Sequence, residues 1–206
     1  MSTPGAIPRK RGLSDKLKTQ IFESAMEVFA EKGYERTKVE EVAERAGLAR
    51  ATIYYHFRTK RDLYFFLLQE GIALLAEHVA AEVEAAGDDD TARVEALIDG
   101  HVEFFAAYRA FTQVAMLETW RLDPELDISP ARVLAPVLEI CGTVLSDARE
   151  AGSVRDFEPG LLLSSFFGFV TAVPIYYVSY RGEFPKLAMK RALKQIFLEG
   201  VSTRNP

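Results

Sequence analysis

The chain has 206 residues, a net charge of −5 at pH 7, one cysteine and 49 % hydrophobic residues. That length can bury one large core or two modest ones, and the composition is that of a globular protein. A single cysteine excludes an intrachain disulfide framework, and the N-terminus has no charged-then-apolar leader. We therefore expect a cytoplasmic protein.

Charge is distributed unevenly along the sequence. Residues 1–60 carry 12 Lys and Arg against 8 Asp and Glu, whereas residues 61–206 carry 13 against 22. Positive charge therefore gathers in the N-terminal part, which is the distribution expected where that part meets nucleic-acid phosphates.

The first predicted elements are an arm and a helix. Residues 1–12 contain Arg9, Lys10 and Arg11 among prolines and glycines, and they predict a flexible basic arm. This arm is either a solvated tail or a segment that reaches phosphates or the minor groove. The first helix is predicted from Ser14 to Gly33.

Residues 37–60 predict a helix-turn-helix. Thr37 and Glu40 match a capping box at the start of the second helix, and Gly47 is favoured where that helix ends. The third helix is predicted over residues 49–55, with polar and aromatic side chains outside. Two short helices joined by a glycine turn are typical of a unit whose second helix enters the major groove of DNA.

The motif residues carry a family resemblance. The segment KVEEVAERAGL at 38–48, followed by TIYYHF at 52–57 and by Lys60, resembles the signature of the tetracycline-repressor (TetR) family. The specific match covers about residues 17–63. The resemblance implies a homodimer that binds a palindromic double-stranded DNA operator and a small-molecule effector, with repression as the commoner outcome.

Arg50 is the first candidate for reading bases, because a guanidinium can donate two hydrogen bonds to guanine. Ala51 could offer a methyl contact to thymine, and Tyr54 could instead simply pack. Lys38 and Ala51 depart from the family pattern, in which a small hydroxyl residue and glycine are frequent. The remaining predicted DNA-contacting residues are Thr37, Lys38, Thr52, Tyr54, Tyr55, His56 and Lys60.

Every later element is also predicted to be helical. Thr59 and Asp62 predict the start of a fourth helix that runs to about Gly87. Further helices are predicted at about 91–109, 111–122, 129–152, 159–180 and from 185. The predicted fold class is all-α, with a helix-turn-helix DNA-binding domain at 13–58 and a larger ligand-binding and dimerisation domain at 59–206.

Residues 161–180 form an uncharged run of 20 residues, long enough to be tested as a membrane span. Its Ser, Thr, Tyr and Pro residues argue against a membrane, and burial against a second subunit is the alternative. We expect the dimer interface to include Val137, Cys141, Val144, Ser164, Gly168 and Ala172. For Cys141, ordinary packing is the expected role.

An effector site is predicted in the C-terminal part, where histidine and aromatic residues fall on inward helix faces. The candidates are His78, His101, Phe105, Tyr108, Phe111, Met116, Glu118 and Trp120. Buried histidines are more often hydrogen-bonded core residues, and Glu118 could pair with an arginine of the protein or meet a cationic ligand. No metal or cofactor is expected.

Two alternatives remain beside an effector-controlled regulator. One is a constitutive dimeric DNA-binding regulator without an effector. The other is an enzyme or scaffold on a helical fold, which we do not expect because the sequence lacks GxSxG, HExxH, CxxC, GxGxxG and P-loop motifs.

Overall fold

The computed structural model describes residues 13–119 and 130–201, and the regular elements in these residues are helices. The predicted all-α fold class is thereby confirmed. A π-helical turn, Tyr177–Arg181, follows the eighth helix. The helices are α1 Asp15–Arg36, α2 Val39–Arg45, α3 Arg50–His56, α4 Lys60–Ala85, α5 Asp90–Ala107, α6 Arg109–Thr119, α7 Pro130–Glu150, α8 Pro159–Tyr176 and α9 Lys186–Val201.

The chain divides into two compact units, residues 1–67 and 68–206, and the division falls within α4. The first unit has a small aromatic core. The ring centroid of Phe29 lies 5.1 Å from that of Tyr64, and Phe57 lies 5.0 Å from Phe66. Side-chain packing of this kind is what holds helices as short as α2 and α3, which would not persist alone in water.

Several predicted helix ends are confirmed by hydrogen bonds. The Ser14 hydroxyl accepts from the Leu17 amide at 3.4 Å at the start of α1. At the start of α4, the Thr59 hydroxyl accepts from the Asp62 amide while the Asp62 carboxylate accepts from the Thr59 amide, both at 3.1 Å. These bonds satisfy N–H groups that have no partner inside the helix.

The predicted capping box at Thr37 and Glu40 is wrong by one residue. Because α2 begins at Val39, the reciprocal carboxylate is that of Glu41, which accepts from the Lys38 amide at 3.0 Å. The Thr37 hydroxyl instead donates to the Gly33 carbonyl at 2.7 Å. Thr37 therefore ties the chain back to α1, at the point where Gly33 adopts a φ of +74°.

The core of the second unit is built around α5, which contacts α6, α7, α8 and α9. Leu97, Phe104 and Phe105 on α5 have no exposed surface. Gly100 allows a close approach to α4, because a Cβ atom there would lie 2.8 Å from the Cα of Val79. The absence of a side chain at Gly100 therefore sets the spacing of these two helices.

Gly100→Ala is expected to lower the free energy of unfolding by about 1–3 kcal/mol, because a methyl group would be forced into main chain that cannot rotate away. Urea denaturation followed by circular dichroism measures this. Gly142→Ala on α7 is the matched control, since a Cβ there meets only the Leu163 side chain at 3.7 Å. That control should gain up to about 1 kcal/mol from helix propensity. Equal stability of Gly100→Ala and the unmodified protein would contradict the close approach.

A ladder of ion pairs joins α9 to α5. Three lysines one turn apart on α9 face three acids one turn apart on α5, with Nζ–oxygen distances between 2.6 and 3.7 Å. The pairs are Lys186 with Glu103, Lys190 with Glu103 and Asp99, and Lys194 with Asp99 and Glu95. Beside the ladder, Met189, Leu193 and Phe197 of α9 are buried.

Two segments are long and apolar enough to cross a membrane by length and composition alone: α4 and residues 159–181. Half of the apolar stretch in α4 is buried inside the protein, but only 28 % of the apolar stretch in residues 159–181 is. A larger share of the second segment is therefore left unburied by the protein itself.

Candidate functional site

The helix-turn-helix predicted from the sequence is present in the first unit. α2 contacts α3, and the turn between them contains Gly47 with a φ of +62°. This conformation favours glycine, because a Cβ would be strained there. α3 buries Ile53 and presents its opposite side to solvent, where Tyr55 is 81 % exposed.

The predicted DNA-contacting residues differ in exposure. Five have exposed side chains, four on α3 and one at the start of α2: Arg50, Ala51, Tyr54, Tyr55 and Lys38. Thr52 and Lys60 are half-buried, whereas Thr37 and His56 are buried. The helix-turn-helix therefore brings Arg50, Ala51 and the two tyrosines to one accessible helix.

Two of the predicted contacts need correction. Thr37 is 2 % exposed and its hydroxyl is bonded within the protein, so its side chain has a structural role. His56 is 8 % exposed, and its ring packs 5.0 Å from Tyr55 and 6.4 Å from Phe57 between centroids. Little of its ring remains for a contact with DNA.

Tyr54 is held by a hydrogen bond that the sequence did not predict. Its hydroxyl donates to the Glu40 carboxylate at 2.7 Å, which joins α3 to α2. This bond is the main reason that the pKa of Glu40 is lowered, and nearby Arg50 lowers it further. The pKa of Tyr54 is raised by the same bond. Glu40 thus places a negative charge beside the exposed face of α3 and orients Tyr54.

Ion pairs hold α2 against α1. The Arg45 guanidinium bonds Glu31 at 2.9 Å and Glu27 at 2.8 Å, and Lys32 bonds Glu41 at 2.8 Å. The bond from Arg45 is the main reason that the pKa of Glu31 is lowered. These pairs are partly exposed, so each contributes little energy, but together they restrict how α2 can rotate.

Lys60 is already engaged within the first unit. Its Nζ donates to the Glu35 carbonyl at 2.9 Å and lies 4.5 Å from the centroid of the Tyr34 ring. A lysine ammonium has three donors, so a phosphate could be bound only by those that remain. If Lys60 binds a phosphate as predicted, the same ammonium group also holds the start of α4 to the end of α1.

The second unit places both predicted effector histidines among aromatic rings. His101 is fully buried, and its ring centroid lies 6.2 Å from Phe105, 5.9 Å from Phe166 and 6.2 Å from Phe167. Burial lowers the pKa of His101 to about 4. This side chain is therefore neutral at physiological pH.

His78 is half-buried on α4 and lies edge-on to Phe104 and Tyr108, with ring centroids 5.6 and 5.7 Å away. Phe111 packs over Gly71, where a Cβ would collide with its ring. Of the other effector candidates, Trp120 and the side chains of Met116 and Glu118 lie outside the described residues.

Comparison with known proteins agrees with this geometry. Residues 21–65 match the model of the family described as bacterial regulatory proteins, tetR family. The chain is 23 % identical over 186 residues to the fatty acid metabolism regulator protein of Bacillus subtilis, a match that covers 90 % of this chain and 95 % of that protein. Residues 21–65 of this chain are a TetR-family domain.

Solved structures extend the likeness beyond the helix-turn-helix. The fatty acid degradation regulator FadR of Bacillus halodurans matches with a TM-score of 0.84 and 25 % identity, covering 95 % of this chain and all of that one. FadR of Bacillus subtilis, solved in complex with stearoyl-CoA, matches with a TM-score of 0.80 and 23 % identity, covering 88 % and 98 %. With its TetR-family helix-turn-helix, this chain is a DNA-binding transcriptional regulator.

The predicted dimer-interface residues of this regulator fall into two groups. On α7, Val137, Cys141 and Val144 are buried within the subunit, so their assignment to an intersubunit surface is corrected. α7 has two apolar faces, and this one serves the subunit core, where burial raises the pKa of Cys141 to about 12. On α8, Ser164 and Ala172 are exposed and Gly168 is half-buried.

Proposed function

We propose that this chain is a cytoplasmic, homodimeric repressor that binds a palindromic operator and is released by a long-chain fatty acyl-CoA. The likeness over nearly the whole chain to regulators of fatty acid metabolism carries the proposal. In it, residues 13–58 bind DNA, residues 59–206 bind the effector and dimerise, and the chain has no enzymatic role.

The DNA-binding part of the proposal rests on α3. One short helix reaches only a few base pairs, whereas two copies related by a two-fold axis read a palindrome with half-sites about 34–36 Å apart, or a multiple of this distance. Arg50, exposed at the first position of α3, supplies the guanidinium for base reading. Lys38, exposed at the start of α2, supplies a phosphate contact.

The dimerisation part rests on the exposed face of α8. Leu161 is 66 % exposed and Tyr176 is 51 % exposed, and Ser164, Gly168 and Ala172 lie between them at intervals of one turn. A Cβ at Gly168 would meet nothing within 4 Å, which leaves room for a second helix. An apolar strip of this kind is typical of a helix that is covered in the assembled protein.

Ala172→Glu is expected to shift the protein from dimer to monomer, because two like charges would be buried close to the two-fold axis. Sedimentation velocity across a range of protein concentrations measures the change. Ala188→Glu is the matched control, since Ala188 is exposed on α9. A dimer of unchanged stability in Ala172→Glu would place the interface elsewhere.

The effector part is tested by titrating operator complexes with stearoyl-CoA. Fluorescence anisotropy of labelled DNA from upstream of the protein's own gene should show tight binding that weakens with salt. Stearoyl-CoA should then weaken it about 5- to 150-fold, the range of ordinary allosteric coupling. If saturating acyl-CoA left DNA binding unchanged, the protein would be a constitutive regulator without this effector. If the protein did not bind this DNA at all, the operator assignment would be wrong.

A further inference from the structure

His101 is a buried titratable side chain that DNA binding does not use. Its Nδ1 lies 2.7 Å from the Leu97 carbonyl oxygen, one helical turn earlier on α5. A carbonyl only accepts hydrogen bonds, so Nδ1 carries the proton that is donated. Because burial keeps the ring neutral, with a pKa of about 4, the second nitrogen carries no proton. Nε2 of His101 is therefore a hydrogen-bond acceptor.

That acceptor has no partner among the residues that the structure describes. The aromatic rings that pack around the His101 ring, those of Phe105, Phe166 and Phe167, have no O–H or N–H group to donate. A buried acceptor without a donor is uncommon in folded proteins and unfavourable. An apolar, aromatic surrounding with a few polar groups is also the kind of lining that binding sites for small, mainly apolar ligands have.

We propose that Nε2 of His101 accepts a hydrogen bond from an O–H or N–H group of the effector. An apolar ligand that carries this donor then binds more tightly than the same ligand without it. The inference rests on the proposed function, which supplies a fatty acyl-CoA as the effector. It adds the chemistry by which this protein distinguishes one acyl compound from another.

Two parts of an acyl-CoA could supply the donor. A saturated acyl chain and its thioester carbonyl have no O–H or N–H group, so the donor is either a hydroxyl on the chain or an amide N–H of the pantetheine arm. The fully buried, aromatic position of His101 favours the chain hydroxyl. The pantetheine arm leads to a charged nucleotide, which is unfavourable to bury without paired charges.

The test compares ligands and variants in the full-length protein by isothermal titration calorimetry. The ligands are stearoyl-CoA and a set of stearoyl-CoA molecules that carry one hydroxyl at different chain positions. His101→Phe removes the acceptor and keeps a flat ring, whereas His101→Gln retains an acceptor near the position of Nε2. Thr112→Val is the matched control, because the Thr112 hydroxyl is buried but already donates to the Tyr108 carbonyl at 3.0 Å.

The unmodified protein should bind at least one hydroxylated acyl-CoA about ten-fold more tightly than stearoyl-CoA, as expected for one buried hydrogen bond. His101→Phe should remove that preference, His101→Gln should restore part of it, and Thr112→Val should retain it. An equal loss of affinity for all the ligands in His101→Phe would also support the inference and would identify the amide N–H as the donor.

A second readout is the thermal stability of the ligand-free protein. His101→Phe should raise Tm at pH 7, because it replaces an unpaired buried acceptor with an apolar ring. Should this variant not fold, His101→Leu provides the same comparison with a smaller side chain. Equal affinities of the unmodified protein and the variant lacking the acceptor for every ligand would overturn the inference alone. Failure of every acyl-CoA to bind the unmodified protein would overturn the proposed effector class and this inference together.

Discussion

Arg50→Ala is expected to weaken operator binding by about 1–3 kcal/mol for each half-site, and by up to about twice that in a dimer that carries two copies. The side chain is exposed at the first turn of α3, the helix that the helix-turn-helix presents to DNA. A guanidinium that bonds one guanine is specific to one base pair. The loss should therefore be largest on the natural operator, and the variant should tolerate substitution of that base pair.

Two other substitutions distinguish a contact with a base from a nonspecific attraction to the phosphates. Lys38→Ala removes an exposed cation at the start of α2 and should weaken all DNA sequences similarly, with a smaller dependence of affinity on salt. Arg191→Ala removes an exposed arginine of α9 and should have little effect. Anisotropy titrations at several salt concentrations, on the operator and on point variants of it, measure all three. If Arg50→Ala and Lys38→Ala behaved alike, Arg50 would be a phosphate contact.

Stability is expected to fall by about 3 kcal/mol as the pH is lowered from about 6.5 to about 4, through His101 alone. An exposed histidine has a pKa near 6.5, and burial lowers the pKa of His101 to about 4. The unfolded chain therefore binds a proton over a pH range in which the folded protein does not. The contribution is fully present above pH 6.5 and is lost as the pH falls toward 4, at about 1.4 kcal/mol per pH unit.

The measurement is the free energy of unfolding by urea at a series of pH values, for the unmodified protein and for His101→Phe. Carboxylates with lowered pKa values, such as those of Glu103 and Glu41, also lose stabilisation in acid. Their contribution is common to both proteins and cancels in the difference. If the two stability curves stayed parallel between pH 6.5 and 4, His101 would be accessible to protons in the folded state.

The sequence predicted best those features that depend on neighbouring residues. The capping pair of Thr59 and Asp62, the glycine turn at Gly47 and the order of the helices all follow from local hydrogen bonding and periodicity. The capping box wrongly predicted at Thr37 shows the limit of such local patterns, because a more distant contact overrides it. A hydroxyl three residues before an acid fits a capping box, but Thr37 finds a better acceptor in a carbonyl of α1.

Features that depend on residues distant in sequence were not predictable. The bond between Tyr54 and Glu40 joins residues 14 apart on different helices, and no periodic pattern connects them. α7 shows the same difficulty, because the pattern reveals two apolar faces without showing which one meets the subunit's own core. Only the packing of α5, α7 and α8 assigns Val137 and Cys141 to the interior.

The ion-pair ladder between α5 and α9 has a consequence for how α9 finds its place. Because its three lysines and the three acids opposite share a spacing of one turn, sliding α9 by one turn would still match two lysines with two acids. Charge therefore holds α9 against α5 but discriminates poorly between neighbouring alignments. The aromatic contacts do discriminate, since Phe197 lies 5.1 Å from Phe166 and 6.0 Å from Phe169 between ring centroids. A misaligned α9 would keep most of its ion pairs but lose the contacts of Phe197 with Phe166 and Phe169. Aromatic packing, rather than charge, therefore determines the alignment of α9.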